Sequence, residues 1–285
     1  MPTFLDTIIA QALVLSFLAT AGLTGLIYKI GGKTAGGVFA NASVGISFTW
    51  FCSFILGTPD FPPEYNNSSI LSATACALLL GVLIDFFLFK GKKIYRPIVI
   101  LIILLIGIAI TLWMRSGFDL WSVPILLGWC VIAFGLHRIN DNANFGSGGS
   151  TSILIITTFG TGVIAWISNI AVDRDLAFGL CAISFGFIIF NFPKPKLNFG
   201  YSILFAGSGG IYMLVIRLVE QIPSLIPAFI ILGFIFFIDV ASKYVQKNII
   251  QLPLIPNTVK LCALAVFPLA LATVISLVAI EFPIN

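Results

Sequence analysis

Ten long apolar runs separated by short polar breaks make up most of this chain. Read in order, they predict helices at about 4–28, 35–57, 70–89, 97–114, 120–137, 150–171, 176–192, 199–217, 222–241 and 258–280. A bilayer core needs about 20 consecutive apolar residues per helix. It also excludes open sheet edges and unpaired backbone, which leaves helices as the spanning form for runs this apolar. The expectation is an all-α, polytopic integral membrane protein of about ten transmembrane helices, built as a single domain over residues 1–285. Several runs, 176–192 and 199–217 among them, are only about 17 to 19 residues, near the lower limit for a crossing. The first run starts close to Met1, carries Asp6 and has no basic lead-in, so it reads as a retained helix.

Composition agrees with the pattern. The chain is 59% hydrophobic and 9% charged, whereas a soluble domain is about a quarter charged. The placement of charge adds a topology. Counting connections from the N-terminus, the odd-numbered ones hold twelve of the fifteen basic residues. These are Lys29 and Lys33, then Lys90, Lys92, Lys93 and Arg96, then Arg138, then Lys194 and Lys196, then Lys243, Lys247 and Lys260. The even connections hold Arg115, Arg174 and Arg217 beside Asp60, Glu64, Asp119, Asp173, Asp175 and Glu220. Lys and Arg are retained on the cytoplasmic side during insertion. The odd connections are therefore expected inside, both termini outside, and the protein in a bacterial inner membrane. The outer face reads as plain; its longest loop, residues 58–69, is Pro-rich and acidic and holds overlapping Asn-x-Ser sequons at Asn66 and Asn67.

Polar residues that need explaining collect on the inner side. Asp85 lies within the third apolar run, where a carboxylate costs on the order of 2.5–3.5 kcal/mol at mid-membrane depth and so needs a partner or a task. Lys90 or Lys92 is one candidate partner. The segment Arg138-Ile-Asn140-Asp141-Asn-Ala-Asn144-Phe-Gly146-Ser147-Gly148-Gly-Ser150-Thr151-Ser152 leads into the sixth helix. Its glycines could bring backbone N–H groups together as an anion nest, or it is a flexible loop capped by Ser150 or Thr151. Asn191, Lys194, Lys196 and Gly200 lie in a short basic turn stiffened by Pro193 and Pro195. Asp239, at the inner end of the ninth helix, stands four residues before Lys243, the spacing of an ordinary helical ion pair.

Other chemistry is thin. The five cysteines, Cys52, Cys76, Cys130, Cys181 and Cys262, sit in apolar runs without a CxxC pair and read as small hydrophobes. His137 is the lone histidine, which excludes the usual zinc sites. It reads as an interfacial or capping residue. No Ser-His-Asp set or Walker-type loop is present, and nothing points to nucleic acid.

In order and placement these motifs resemble the polyprenyl-phosphate N-acetylhexosamine-1-phosphate transferases, the family of the phospho-MurNAc-pentapeptide translocase. Gly81-Val-Leu-Ile84-Asp85 matches the family's Gly-x-x-Asp-Asp, with Ile84 at the first Asp. Asp141-Asn-Ala-Asn144-Phe-Gly146-Ser147-Gly148-Gly-Ser150 matches its third-loop motif at Asn144 and Gly148, with Ser147 and Ser150 at Asp positions. Asn191, Pro193, Lys196, Phe199 and Gly200 follow its fourth loop, with Tyr201 at the Asp. Asp239 and Lys243 follow its ninth-helix end, and the family's His-x-His-His cluster has no counterpart. Gly57-Thr-Pro-Asp-Phe-Pro-Pro63 also resembles an outer-loop motif of uncharacterised bacterial polytopic membrane proteins.

The resemblance implies sugar-phosphate transfer from a UDP-sugar to a lipid phosphate, with Mg²⁺ on cytoplasmic aspartates. Asp85 and Asp141 would be the catalytic pair, with Asp85 on the metal. Magnesium binding rests on one or two carboxylates beside substrate phosphates, and serine hydroxyls do not replace the missing charge. The expected function is therefore a transferase-fold protein with a degenerate site. It would bind a lipid phosphate such as polyprenyl phosphate, or act as a non-catalytic partner of another membrane protein. Asn140, Asn144, Ser147, Gly148, Ser150, Asn191, Lys194, Lys196, Gly200, Asp239 and Lys243 would be its contacts. Alternatives are an active transferase with fewer carboxylates, a small-solute transporter broken at Gly207–Gly210, and a structural subunit of a membrane complex.

Overall fold

The computed structural model describes residues 7–57, 69–90, 96–115, 122–142, 145–191, 197–248 and 257–281. Among these the chain is helical, with no strand. Each of the ten apolar runs of the sequence contains a helix: α1 (Thr7–Gly31), α2 (Ala42–Leu56), α3 (Ser69–Phe89), α4 (Arg96–Arg115), α5 (Ser122–Asp141), α6 (Gly146–Ile167), α7 (Ala171–Ile188), α8 (Tyr201–Gln221), α9 and α10 (Asn257–Glu281). Three pieces make up α9: Ile226–Gly233, a 3-10 turn at Phe234–Phe237, and Ile238–Asn248.

Seven helical runs among the described residues are long and apolar enough to cross a membrane, which marks an integral membrane protein. They are Ile9–Phe39, Ile70–Phe89, Val123–Asp141, Gly146–Ile167, Tyr201–Gln221, Pro223–Ser242 and Thr258–Glu281. Ala42–Leu56 and Ile98–Ala109 are apolar but shorter. The charged opening of α7, with Asp173, Arg174 and Asp175, sets it apart. The first connection falls beside Lys29 and Lys33, where it was expected. Gly32 takes the left-handed region at φ +65°, Gly36 packs back on Tyr28, and the Thr24 and Ser43 hydroxyls meet at 2.6 Å, so the chain reverses across the π turn at Gly32–Gly36.

The short run expected at 199–217 is the centre of the bundle. Helix α8 is buried along nearly its whole length and packs against α2, α3, α5, α6 and α7. In lipid, helices associate through close packing and polar contacts rather than through exclusion of water. The sequence Ala206-Gly-Ser-Gly-Gly210 supplies small residues for that approach, and Phe48 and Leu154 fill the space beside Gly210 and Gly207. The stretch that a transporter reading would break is therefore continuous helix.

Buried polar side chains mostly bond to backbone. The hydroxyls of Thr157, Thr158, Thr161, Ser184 and Ser208 donate to carbonyls four residues back, which removes their cost in an apolar setting. Trp129 Nε1 donates to the Ile103 carbonyl at 2.7 Å, and the Tyr212 hydroxyl to that of Ile125 at 2.6 Å. These two bonds tie α5 to α4 and α8.

Candidate functional site

The five odd-numbered connections meet at one end of the bundle. The Asn198 N–H donates to the Gly37 carbonyl, joining the seventh connection to the first. Asp85, from the end of α3, accepts from the start of α8, joining the third to the seventh. Asn140 Nδ2 donates to the Phe199 carbonyl at 3.1 Å, joining the fifth to the seventh. Arg138 reaches Asp239, joining the fifth to the ninth. Charge sorting therefore picked out segments that are neighbours in space.

At the centre of this end, Asp85 caps α8. Its Oδ1 accepts the Tyr201 N–H at 2.9 Å; its Oδ2 accepts the Ser202 N–H at 2.9 Å and the Ser202 hydroxyl at 2.5 Å. The first amides of a helix lack internal partners and carry the positive end of its dipole, so the carboxylate finds its counter-charge there. Lys90, a partner expected from sequence, instead lies over the Phe86 ring at 4.3 Å. Two glycines make the contact fit. A Cβ at Gly81, one turn before Asp85, would come within 2.5 Å of the Tyr201 carbonyl and Ser202 Cα. A Cβ at Gly200 would fall on the Asn41 amide, with Asp85 Oδ1 at 2.8 Å.

Asn41 was not singled out by sequence. Its side chain is fully buried and lies against the Asp85 carboxylate. Neither polar atom completes a well-formed hydrogen bond among the described residues. A lone Asn in Phe39-Ala-Asn41-Ala carries no pattern that would have found it.

Asp141 stands on the last turn of α5, with His137 Nε2 at 3.8 Å from its carboxylate. The His137 ring lies beside that of Tyr201, with centroids 6.1 Å apart. Asp239 pairs with Arg138 Nη2 at 2.5 Å, a contact between helices that the spacing did not suggest. The same nitrogen donates to the Phe236 carbonyl at 2.9 Å, and the guanidinium lies over the Phe237 ring.

The Gly/Ser segment also differs. Gly146 opens α6 at φ +52°, and Phe145 holds the capping position without a side-chain bond. Ser147, Gly148, Ser150, Thr151 and Ser152 lie inside the first turns and are buried. The Ser150 hydroxyl donates to the Leu136 carbonyl at 3.2 Å, and Thr151 and Ser152 to the carbonyls of Ser147 and Gly148. Neither Ser150 nor Thr151 is the cap, and these hydroxyls are turned to backbone rather than outward.

Asn144, Lys194 and Lys196 lie outside the described residues. Asn191 closes a 3-10 turn at Ile189–Asn191, and Lys243 lies in Ile238–Asn248; their side chains are outside the description. Ile84, at the expected first Asp, is buried.

Magnesium does not fit what is described. Both Asp85 oxygens already accept from amide and hydroxyl donors, and a helix N-terminus repels a cation. Among the described residues no group of three or more His, Cys, Asp or Glu could hold a metal.

A groove of about 480 Å³ opens beside this cluster, between α4, α5 and the 3-10 turn of α9. Ile100, Cys130, Val131, Phe134 and Phe237 form its walls, and His137, Arg138 and Asp141 stand at its polar end.

The opposite end holds a cluster that sequence reading passed over as plain. Arg217 Nε donates to Asp173 Oδ1 at 2.7 Å, and Gln221 Nε2 to Asp173 Oδ2 at 3.1 Å. Arg174 pairs with Asp175 at 2.7 Å. The only sequence signal was opposite charges clustered in the sixth and eighth connections.

No protein-family model matches the chain, and no curated protein matches it.

Proposed function

We propose that this protein is a ten-span bacterial inner-membrane protein, termini outside, that binds a lipid phosphate at its cytoplasmic end and does not transfer phosphoryl groups. It works as a lipid-binding or partner subunit on a transferase-like scaffold. The observation that carries this reading is the engagement of Asp85. The carboxylate on which metal-assisted chemistry would depend holds α8 in place, and Ile84, Ser147, Ser150 and Tyr201 stand where further carboxylates would be needed. Phosphoryl transfer without that charge lacks its main source of stabilisation.

The groove supports the binding half. Its walls suit an isoprenoid or acyl chain. Arg138 is half-exposed at its polar end, and among the described residues its Nη1 and Nε have no hydrogen bond. A planar guanidinium with open donors suits a phosphate head.

Native mass spectrometry of the purified protein with polyprenyl phosphate, and with the matching uncharged polyprenol, tests this. The phosphate form is expected to bind preferentially, and Arg138→Ala to weaken it about tenfold or more, the loss of one charge-assisted contact. Equal binding of both lipids, unaffected by Arg138→Ala, would refute the reading.

A further inference from the structure

The break in α9 sits against the same groove. Helix gives way to a 3-10 turn over Phe234–Phe237, and short 3-10 stretches within helices often mark hinges. Here one side chain from α5 holds the hinge. Arg138 Nη2 carries both the bond to the Phe236 carbonyl, in the turn, and the bond to Asp239, just beyond it. Phe236 also packs on Gly135, where a Cβ would approach within 2.5 Å.

We infer that Arg138 is a latch, and that a lipid phosphate entering the groove releases the segment Ile238–Asn248 from α5. This rests on the lipid-phosphate reading above. Three observations lead to it. Arg138 is the cation among the described residues that lines the groove, so an anionic head docking on its Nη1 and Nε draws the whole guanidinium, Nη2 included, toward the groove. Both latch bonds leave from one nitrogen, so turning the guanidinium toward a ligand breaks both together. Exposure is lopsided: the Arg138 side chain is 42% accessible and that of Asp239 is 2%. A ligand therefore reaches the arginine without passing the aspartate it displaces. Because the head competes with Asp239 for one group, it binds the released state better. Such differential affinity is what shifts a conformational equilibrium. The released segment carries Lys243, Lys247 and the exposed Tyr244, so lipid occupancy would reposition a basic helix at the membrane surface.

Hydrogen exchange over residues 236–248 tests this, with the full chain in phosphatidylcholine nanodiscs with and without polyprenyl phosphate. Binding is followed in parallel by native mass spectrometry. Lipid phosphate is expected to speed exchange of this segment about tenfold or more, from loss of charge-assisted bonds. Asp239→Asn should speed it without lipid and remove the lipid's further effect. Arg138→Ala, which removes the nitrogen that carries both bonds, should behave likewise. Lipid phosphate that binds while exchange stays unchanged would overturn the latch and leave the binding reading standing. Failure to bind, with exchange still faster in Asp239→Asn, would sink the binding reading and the coupling but leave the clamp. Unchanged exchange in both variants would overturn the clamp itself.

Discussion

Asp85→Ala is expected to destabilise the protein by about 3 kcal/mol or more, read as a lower midpoint of thermal or denaturant unfolding in detergent. Hydrogen bonds to a charged group are worth about 1.5–3 kcal/mol each, and this carboxylate accepts two amides and a hydroxyl. With Ala, the Tyr201 and Ser202 amides lose their acceptor at the start of the most enclosed helix, and α8 loses the anion that opposes its dipole. Asp85→Asn keeps one acceptor oxygen without the charge and should fall between wild type and Ala. The ordering Asp, Asn, Ala should be the same with and without Mg²⁺, because the loss belongs to the helix start. A stability that depends on Mg²⁺ in wild type and not in Asp85→Asn would instead place a cation on this carboxylate.

The second large effect belongs to the opposite end. Arg217→Ala should cost about 3–5 kcal/mol, since removing one partner of a buried ion pair strands the other charge. Asp173 is fully buried, and its pair joins the start of α7 to the end of α8. Arg217→Met combined with Asp173→Leu should recover much of the loss, because apolar replacement of both partners removes the stranded charge. If Arg217→Ala alone is neutral, the pair is a surface contact and this end of the bundle is held by packing only.

Much of the fold was legible from the spacing of apolar runs. All ten contain a helix, because the bilayer constraint acts on local composition and needs no tertiary knowledge. Charge sorting also read true in space: the odd connections, chosen by their Lys and Arg content, are joined through Asn198, Asp85, Asn140 and Arg138. Side-chain partners were harder to see. Asp85 looked bound for a lysine or a metal because its true partners, two backbone amides 116 and 117 residues away, leave no mark on sequence. Asp239 also meets a guanidinium from another helix, Arg138, a pairing across 101 residues that local spacing does not mark. Ser150 followed a glycine run and looked like a cap, but Gly146 takes the left-handed position and starts the helix four residues sooner. Local spacing gives the element and its register; only packing decides which neighbour a buried polar group finds.

The most direct measurement is UMP release by the purified protein supplied with Mg²⁺, UDP-N-acetylhexosamine and polyprenyl phosphate. With Asp85 committed to α8, release is expected to stay at the level without protein, in wild type and in Asp85→Asn alike. Mg²⁺-dependent release that disappears in folded Asp85→Asn would show the carboxylate acting on substrate and contradict the account.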